Sequence, residues 1–282
     1  MPDWLAIVLV NFIYFMLYSF VGWVCETIWC SVGSRKFVNR GFLNGPLCPV
    51  YGFGAMLTLW LLRPFTENLF TIFLAGMVLT SALEYFTGWL LEKLFHLKLW
   101  DYSTYFCNLN GRVCLRNSLL FGLMSVALVW FIHPFIADVV AYVPQTLLSI
   151  VALGLLVLVL VDLVATVRAM LQLGGKLEQL QRVFEELHEK NETYRAEFQQ
   201  NLEAKLEQHR ESLTGQHEEL RAAMQAKIDQ LNARLGELQG QLKFSHRRVL
   251  RAWPNMTSKR HPESLSKFKE ALETRRKNRR AK

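Results

Sequence analysis

The chain divides by the distribution of its apolar residues. Residues 1–170 contain long apolar runs, whereas the remainder is strongly polar. A helix that spans a bilayer needs roughly 20 mostly apolar residues. Such windows predict five spans, although the fourth is short unless it extends back through Asn117 and Ser118; they lie at residues 4–29, 46–62, 69–91, 119–131 and 144–170. The sequence therefore predicts an all-α, polytopic membrane helix bundle over residues 1–171.

Lysine and arginine are unevenly distributed among the connections between these spans. The connection after the second span holds only Arg63, and the one after the fourth holds neither residue type. The connections after the first and third spans hold Arg35, Lys36, Arg40, Lys93, Lys98, Arg112 and Arg116. Because basic loops stay on the cytoplasmic side, we expect a multi-pass protein of the cell membrane with its N-terminus outside and its C-terminus in the cytoplasm.

Residues 172–242 have few helix breakers and a heptad pattern. Apolar residues recur in steps of three and four, the spacing of a coiled-coil seam, at Leu177, Leu180, Phe184 and Leu187. The pattern slips near Leu202 and returns from Met224 to Leu242. We expect a cytoplasmic coiled coil that forms a homo-oligomer or binds a partner. A single solvated helix, or one that folds back on its own membrane domain, is the alternative.

Residues 243–282 form a basic tail with fourteen Lys or Arg and three Glu. We expect this tail to be largely disordered. A basic cytoplasmic segment near a bilayer can bind anionic lipid, and basic runs also bind nucleic acid. A tail that serves only to keep the chain soluble is the third interpretation.

Several charged residues lie within or beside the apolar spans. Charges at membrane depth are costly and usually face the bundle interior. The predicted topology places the candidates of both signs towards the cytoplasmic side: Glu26, Arg40, Glu84, Asp101 and Arg112. They predict a polar cavity open to the cytoplasm, although ion pairs that lock loops onto helix ends are the alternative. Asp162, deep in the fifth span, fits either a site or a packing contact equally well.

The stretch NRGFLNGPLCPVYGFG, residues 39–54, interrupts the helical pattern at the start of the second span. Gly45, Pro46 and Pro49 oppose an ordinary helix start. Non-helical backbone at membrane depth is tolerated only where protein buries it or water reaches it. We therefore predict a broken or partly re-entrant segment that forms a wall of the same cavity. The alternative is a tight loop with proline in the first helical turn.

The chemistry of cofactors, metals and nucleotides has little support in the sequence. The five cysteines lack the close pairing typical of zinc sites and suit buried apolar positions better. A phosphate-binding G-x-x-x-x-G-K-[ST] loop is missing from the sequence. We predict no cofactor, no metal site and no intrinsic ATPase.

Four stretches of the sequence together resemble one protein family. NRGFLNGPLCPVYGFG, LEYFTGWLLEKLF, LWDYS and NLNGRVCLRNSLLFG follow one another in the order found in the bacterial family called putative ABC-transporter type IV, or CmpB-like. The resemblance covers roughly residues 12–131, so the fifth span, the heptad segment and the tail are expected to lie outside it. It implies a permease component, whose ATPase would have to be a separate chain.

The predicted function is that of a transporter or permease component with a charged cavity facing the cytoplasm. Two alternatives remain open. The chain could be a membrane-anchored scaffold or regulator that presents the coiled coil. It could also be a membrane enzyme for lipid-linked substrates, with Glu84 and Asp101 as acid and base groups.

Overall fold

The computed structural model describes residues 3–35, 37–65, 67–206 and 244–258, together with single positions among residues 226–237 and 262–270. The chain forms two compact units. The first consists of residues 1–171 and 248–259, and we call it the membrane unit. The second consists of residues 172–247 and 260–282, and we call it the polar unit.

The membrane unit is built from helices α1 (Asp3–Ser34), α2 (Pro49–Leu61), α3 (Leu69–Phe95), α4 (Leu115–Ala127), α5 (His133–Ala141) and the first part of α6 (Gln145–Leu206). Within the described residues, four helices are long and apolar enough to cross a membrane: Trp4–Ser34, Leu69–Phe95, Leu115–Ala141 and Gln145–Val183. At 1.5 Å per residue, the 13 residues of α2 rise only about 20 Å. This is less than the roughly 30 Å of a bilayer core.

The fourth span is longer than the sequence predicts. Helix α4 continues through a π-helical turn, Leu128–Ile132, into α5, so a single helix covers Leu115–Ala141. Pro134 lacks a backbone N–H and would normally end an α-helix near this point. The His133 N–H instead donates to the carbonyl of Leu128, five residues back. This local widening lets the helix pass the proline.

Helix packing in the membrane unit uses small residues at close contacts. A side chain at Gly22 would overlap the ring of Tyr51, and one at Gly76 would overlap Ser125. Small residues allow this close approach of membrane helices. An apolar core forms between α1, α2, α5 and α6, around residues such as Ile13 and Met56. Many large apolar side chains elsewhere on α3 and α6 are exposed, as expected for faces that contact lipid.

Two short antiparallel strand pairs lie among the connections of the membrane unit. Strand β2 (Asn108–Leu109) pairs with β3 (Val113–Cys114) in the connection between α3 and α4. Strand β1 (Leu97–Lys98) pairs with β4 (Thr257–Ser258), which comes from the C-terminal part of the chain. Helix α7 (Phe244–Ala252) precedes β4. The first part of the predicted disordered tail therefore has regular structure.

Helix α6 continues without a break from the membrane unit into the polar unit, as far as Leu206. Leu173, Leu177 and Leu180 are fully buried within the single chain. Pairs four residues apart, such as Glu178 with Arg182, lie on the exposed side of the helix. The coiled coil stays a prediction, because the side chains of most later heptad positions lie outside the described residues.

Candidate functional site

A cavity of about 240 Å³ lies within the membrane unit. It is lined mainly by helices α1 to α4, and the π-helical turn after α4 contributes Leu128 and Ile132. Ionisable and aromatic side chains are prominent in the lining: Glu26, Arg40, Glu84, Tyr18, Tyr51, Trp100, Tyr102, Phe121 and Trp253. Glu26, Arg40 and Glu84, three of the sequence candidates, thus lie around one space.

Glu26 of α1 is held by partners from two neighbouring segments. The Tyr51 hydroxyl, from the first turn of α2, donates to Glu26 Oε1 at 3.0 Å. Arg40 Nε lies 3.7 Å from Glu26 Oε2, too far for a hydrogen bond but close enough for an ion pair. Gly22, one turn before Glu26, lets the Tyr51 ring lie directly against α1. The close contact of α1 with α2 therefore positions the carboxylate at the cavity wall.

Glu84 is the most deeply buried carboxyl group of the cavity. Its side chain belongs to α3, and the residue is only 7% exposed. The Tyr102 hydroxyl donates to Glu84 Oε1 at 3.4 Å. Burial, followed by the nearby Glu84 carboxylate, raises the pKa of Tyr102 well above its usual value, so the phenol keeps the proton that it donates. Glu84 Oε2 is buried and makes no hydrogen bond of standard geometry, although the Asn117 side chain of α4 interacts with the carboxyl group.

Residues 248–258, which we call the C-terminal segment, complete the cavity wall. The Arg40 guanidinium lies 4.0 Å from the ring centre of Trp253, and Arg40 Nη1 donates to the carbonyl of Ala252 at 2.7 Å. Trp253 also packs against Trp100, with 5.7 Å between ring centroids. Arg248 donates to the carbonyls of Gly41 and Phe42 at 3.1 and 2.9 Å. These contacts join the C-terminal segment to the connections that follow α1 and α3.

Two of the predicted site residues form ion pairs away from the cavity lining. Arg112 donates to Glu92 Oε2 through Nε at 3.2 Å and through Nη2 at 2.8 Å. Lys98 Nζ lies 2.8 Å from Asp101 Oδ1. Burial alone would raise the pKa of Asp101, but hydrogen bonds from Lys98 and Ser103 outweigh it and hold that pKa below its usual value. Both pairs fix the connection between α3 and α4.

The interrupted stretch before α2 is bound by Asp162 of α6. Asp162 Oδ1 accepts from the Asn44 backbone N–H at 3.0 Å, and Oδ2 accepts from the Gly45 N–H at 2.7 Å. The carboxylate therefore satisfies donors that the non-helical backbone leaves unpaired. Pro49 is the first residue of α2. Cys48, Val50 and Tyr51 line the cavity, whereas Gly45, Pro46 and Pro49 do not.

Sequence reasoning missed the C-terminal contribution and the aromatic partners of the carboxylates. The high positive charge of residues 243–282 hid a buried apolar pattern at Val249, Leu250, Trp253 and Met256. Its spacing of three to four residues is typical of an amphipathic helix. Within the described residues, no three His, Cys, Asp or Glu side chains are grouped as a metal site would require, and all five cysteines are free thiols.

The long apolar helices define the class of the protein, a multi-pass helical membrane protein. Its sequence matches one family model over residues 13–167, more than half of the chain. The chain belongs to this family, which is described as Putative ABC-transporter type IV. The match confirms the resemblance and extends it, because it includes the apolar part of α6. The expectation that the fifth span lies outside the family region is therefore wrong. No curated protein and no solved structure matches the chain.

Proposed function

We propose that this chain is a transporter or permease component, and that the cavity between α1 and α4 holds a small solute during its passage. The observation that carries the proposal is Glu84, a buried carboxyl group on a spanning helix at the cavity wall, with an oxygen that makes no hydrogen bond of standard geometry. Burying a polar group without a hydrogen bond costs free energy. Such a group in a membrane helix is typical of a solute pathway. Membership of the family supports the same conclusion.

We further propose that the cavity is reached from the cytoplasm. The C-terminal segment contacts the connections after α1 and α3, through Arg248 and through the pairing of β1 with β4. Residues 207–243 are too polar in sequence to contain a further span. We take α2 and the non-helical residues before it to cross the membrane together. The end of α6, the C-terminal segment and both connections then belong on one side. The lysine and arginine content of those connections favours the cytoplasm.

Any ATPase that energises transport would be a separate chain, because the sequence has no phosphate-binding loop. A homo-oligomer through residues 172–242 is compatible with this arrangement, as is binding of anionic lipid by the remaining basic residues of the tail. The alternative function, a membrane-anchored scaffold, draws support from α6, which extends from the membrane unit to Leu206 as one helix.

Thiol labelling tests transport without knowledge of the solute. Thr58 is buried and lines the cavity, so Thr58→Cys would report access in a full-length chain whose native cysteines are replaced by alanine. A membrane-impermeant methanethiosulfonate reagent is added to either side of sealed vesicles. A transporter exposes its site alternately, and we expect labelling from both sides.

Two exposed positions control for the sidedness of the reagent. Glu67→Cys, between α2 and α3, should react only from outside, and Arg251→Cys in α7 should react only from the cytoplasmic side. If Thr58→Cys reacts from the cytoplasmic side alone, the cavity is a one-sided binding site and the transport proposal is rejected. Protection from both sides would identify a closed void and reject it equally.

A further inference from the structure

We infer that the cavity selects a small organic cation rather than an anion. This inference deepens the transport proposal and rests on it in taking the occupant to be the transported solute. Three properties of the lining carry it: the balance of charges, the use of its hydrogen-bond donors, and its aromatic rings.

The lining holds two acidic side chains and one basic side chain, so a bound cation would pair with the acidic group that has no basic partner. Among the described lining residues, the ionisable acidic and basic side chains are Glu26, Glu84 and Arg40. Arg40 is already engaged by Glu26, by the Trp253 ring and by the carbonyl of Ala252. Glu84 has no cation beside it among its recorded contacts, and its Oε2 makes no hydrogen bond of standard geometry. A charged N–H group in the cavity would supply a donor for that oxygen.

The hydrogen-bond donors of the lining are mostly committed to acceptors within the protein. The Tyr51 and Tyr102 hydroxyls donate to Glu26 and Glu84, respectively. The Trp100 Nε1–H donates to the carbonyl of Arg112 at 2.9 Å. Thr80 and Ser125 also donate to carbonyls of their own helices. The Thr58 hydroxyl and the Arg40 Nε–H are the exceptions, because neither has a hydrogen-bond partner. An anion would therefore find few free donors, whereas a cation would find acceptors.

Aromatic rings supply the remaining surface that a cation needs. Tyr, Trp and Phe rings attract cations to their faces within about 6 Å of the ring centre. Six such residues line the cavity: Tyr18, Tyr51, Trp100, Tyr102, Phe121 and Trp253. The cavity volume of about 240 Å³ leaves room for a small solute. The occupant is therefore a compact organic ammonium or guanidinium compound.

Three probes of nearly equal length separate charge from shape: n-butylammonium, n-butanol and butyrate. Binding is measured by isothermal titration calorimetry on the full-length chain in detergent, at one pH and one ionic strength. We expect saturable heat with n-butylammonium and none with the other two. Glu84→Gln should weaken n-butylammonium binding by about tenfold or more. Asp138→Asn, which alters an exposed carboxylate in α5, should leave it unchanged.

The outcomes distinguish this inference from the transport proposal. Saturable binding of butyrate without n-butylammonium would overturn the cation assignment and leave a solute cavity intact. Saturable binding of n-butanol equal to that of n-butylammonium would overturn it as well, because charge would play no part. Heat from none of the probes, or binding that Glu84→Gln leaves unaltered, would also overturn it. If Glu84→Gln fails to fold, Glu26→Gln provides the second variant, with a loss of affinity expected and an unchanged affinity counting against the site.

Discussion

Replacing Arg40 by alanine removes the side chain that joins the connection after α1 to the C-terminal segment. The substitution deletes the hydrogen bond from Arg40 Nη1 to the Ala252 carbonyl and the contact of the guanidinium with the Trp253 ring. It also removes the cation nearest to Glu26. The remaining contacts of the segment, those of Arg248 and of strand β4, are left in place. We therefore expect a looser segment on an otherwise folded membrane unit.

The size of the effect follows from these contacts. A hydrogen bond to a charged group contributes about 1.5–3 kcal/mol, and a cation–π contact contributes about 0.5–2 kcal/mol. The Arg40 side chain is 15% exposed, so little of either contribution is lost to solvent. Since both contacts use one cation and are not independent, the loss should be about 2–4 kcal/mol. A loss near 3 kcal/mol corresponds to roughly a hundredfold change in a local opening equilibrium.

Hydrogen exchange followed by mass spectrometry measures this opening directly. The Trp253 and Met256 amides donate to the carbonyls of Val249 and Trp253, and their exchange requires those bonds to open. Arg40→Ala should accelerate exchange over residues 248–258 by about 30- to 1,000-fold and leave a peptide from α3 unchanged. The matched control is Arg251→Ala, which removes an exposed cation from α7, the helix that contains Val249. Acceleration below threefold, or an equal effect of both variants, would refute the assigned role of Arg40.

Three further predictions concern the membrane unit. Glu92→Gln should lower the unfolding free energy of the membrane unit by about 2–4 kcal/mol, since the Glu92–Arg112 pair is only 11–13% exposed. In thermal unfolding, adding Arg112→Met to this variant should recover part of the loss. Strictly additive losses from the two substitutions would show that the side chains are not coupled. Asp101 has a lowered pKa when folded, so its stabilisation is present above its unfolded pKa of about 4 and is lost as the pH falls through the folded value. Asp101→Asn should therefore lower the Tm at pH 7 and flatten its decline in acid, and a wild-type slope in the variant would contradict this. Gly22→Ala should destabilise the chain, because the added methyl group would displace the Tyr51 ring. Gly154→Ala should be neutral or slightly stabilising, because the space around Gly154 is open. Equal Tm values for the two variants would exclude the packing argument.

The membrane helices could be predicted because hydropathy depends on the local sequence alone. The long apolar runs of α1, α3 and α6 can be recognised in the sequence without knowing which helices they pack against. The end of the fourth span was predicted too early, because Pro134 normally terminates a helix and the compensating π-helical turn depends on backbone geometry. Helix α2 is shorter than the predicted second span, because the apolar residues just before Pro49 are not helical.

The carboxylates of the cavity could be selected from sequence because a charge in an apolar helix requires a special environment. This reasoning selected Glu26 and Glu84, which both line the cavity, while their role in binding stays a prediction. It could not choose their partners. The Tyr51 and Tyr102 hydroxyls reach them through contacts between separate helices and loops, and nothing in the local pattern distinguishes these tyrosines from others.

Contacts between distant parts of the chain were beyond sequence reasoning. Asp162 binds the backbone of Asn44 and Gly45 across more than a hundred residues. The C-terminal segment reaches Arg40 across an even longer separation. The net charge of residues 243–282 predicts a single basic tail, but Val249 and Trp253 within it are buried. A single sequence gives the apolar spacing of such a segment but not the surface on which it packs.

The pairing of β4 with β1 makes the C-terminal segment an intramolecular ligand on a tether. Residues 172–247 are the tether: they follow the part of α6 that belongs to the membrane unit and lead to the C-terminal segment. The fraction of chains in which the C-terminal segment is bound to β1 therefore depends on the effective concentration set by the tether. It does not depend on the abundance of the protein in the membrane. A single cut of the chain between α6 and the C-terminal segment would convert the contact into an ordinary bimolecular equilibrium. A chain shortened at residue 247 would lose Trp253 from the cavity wall altogether.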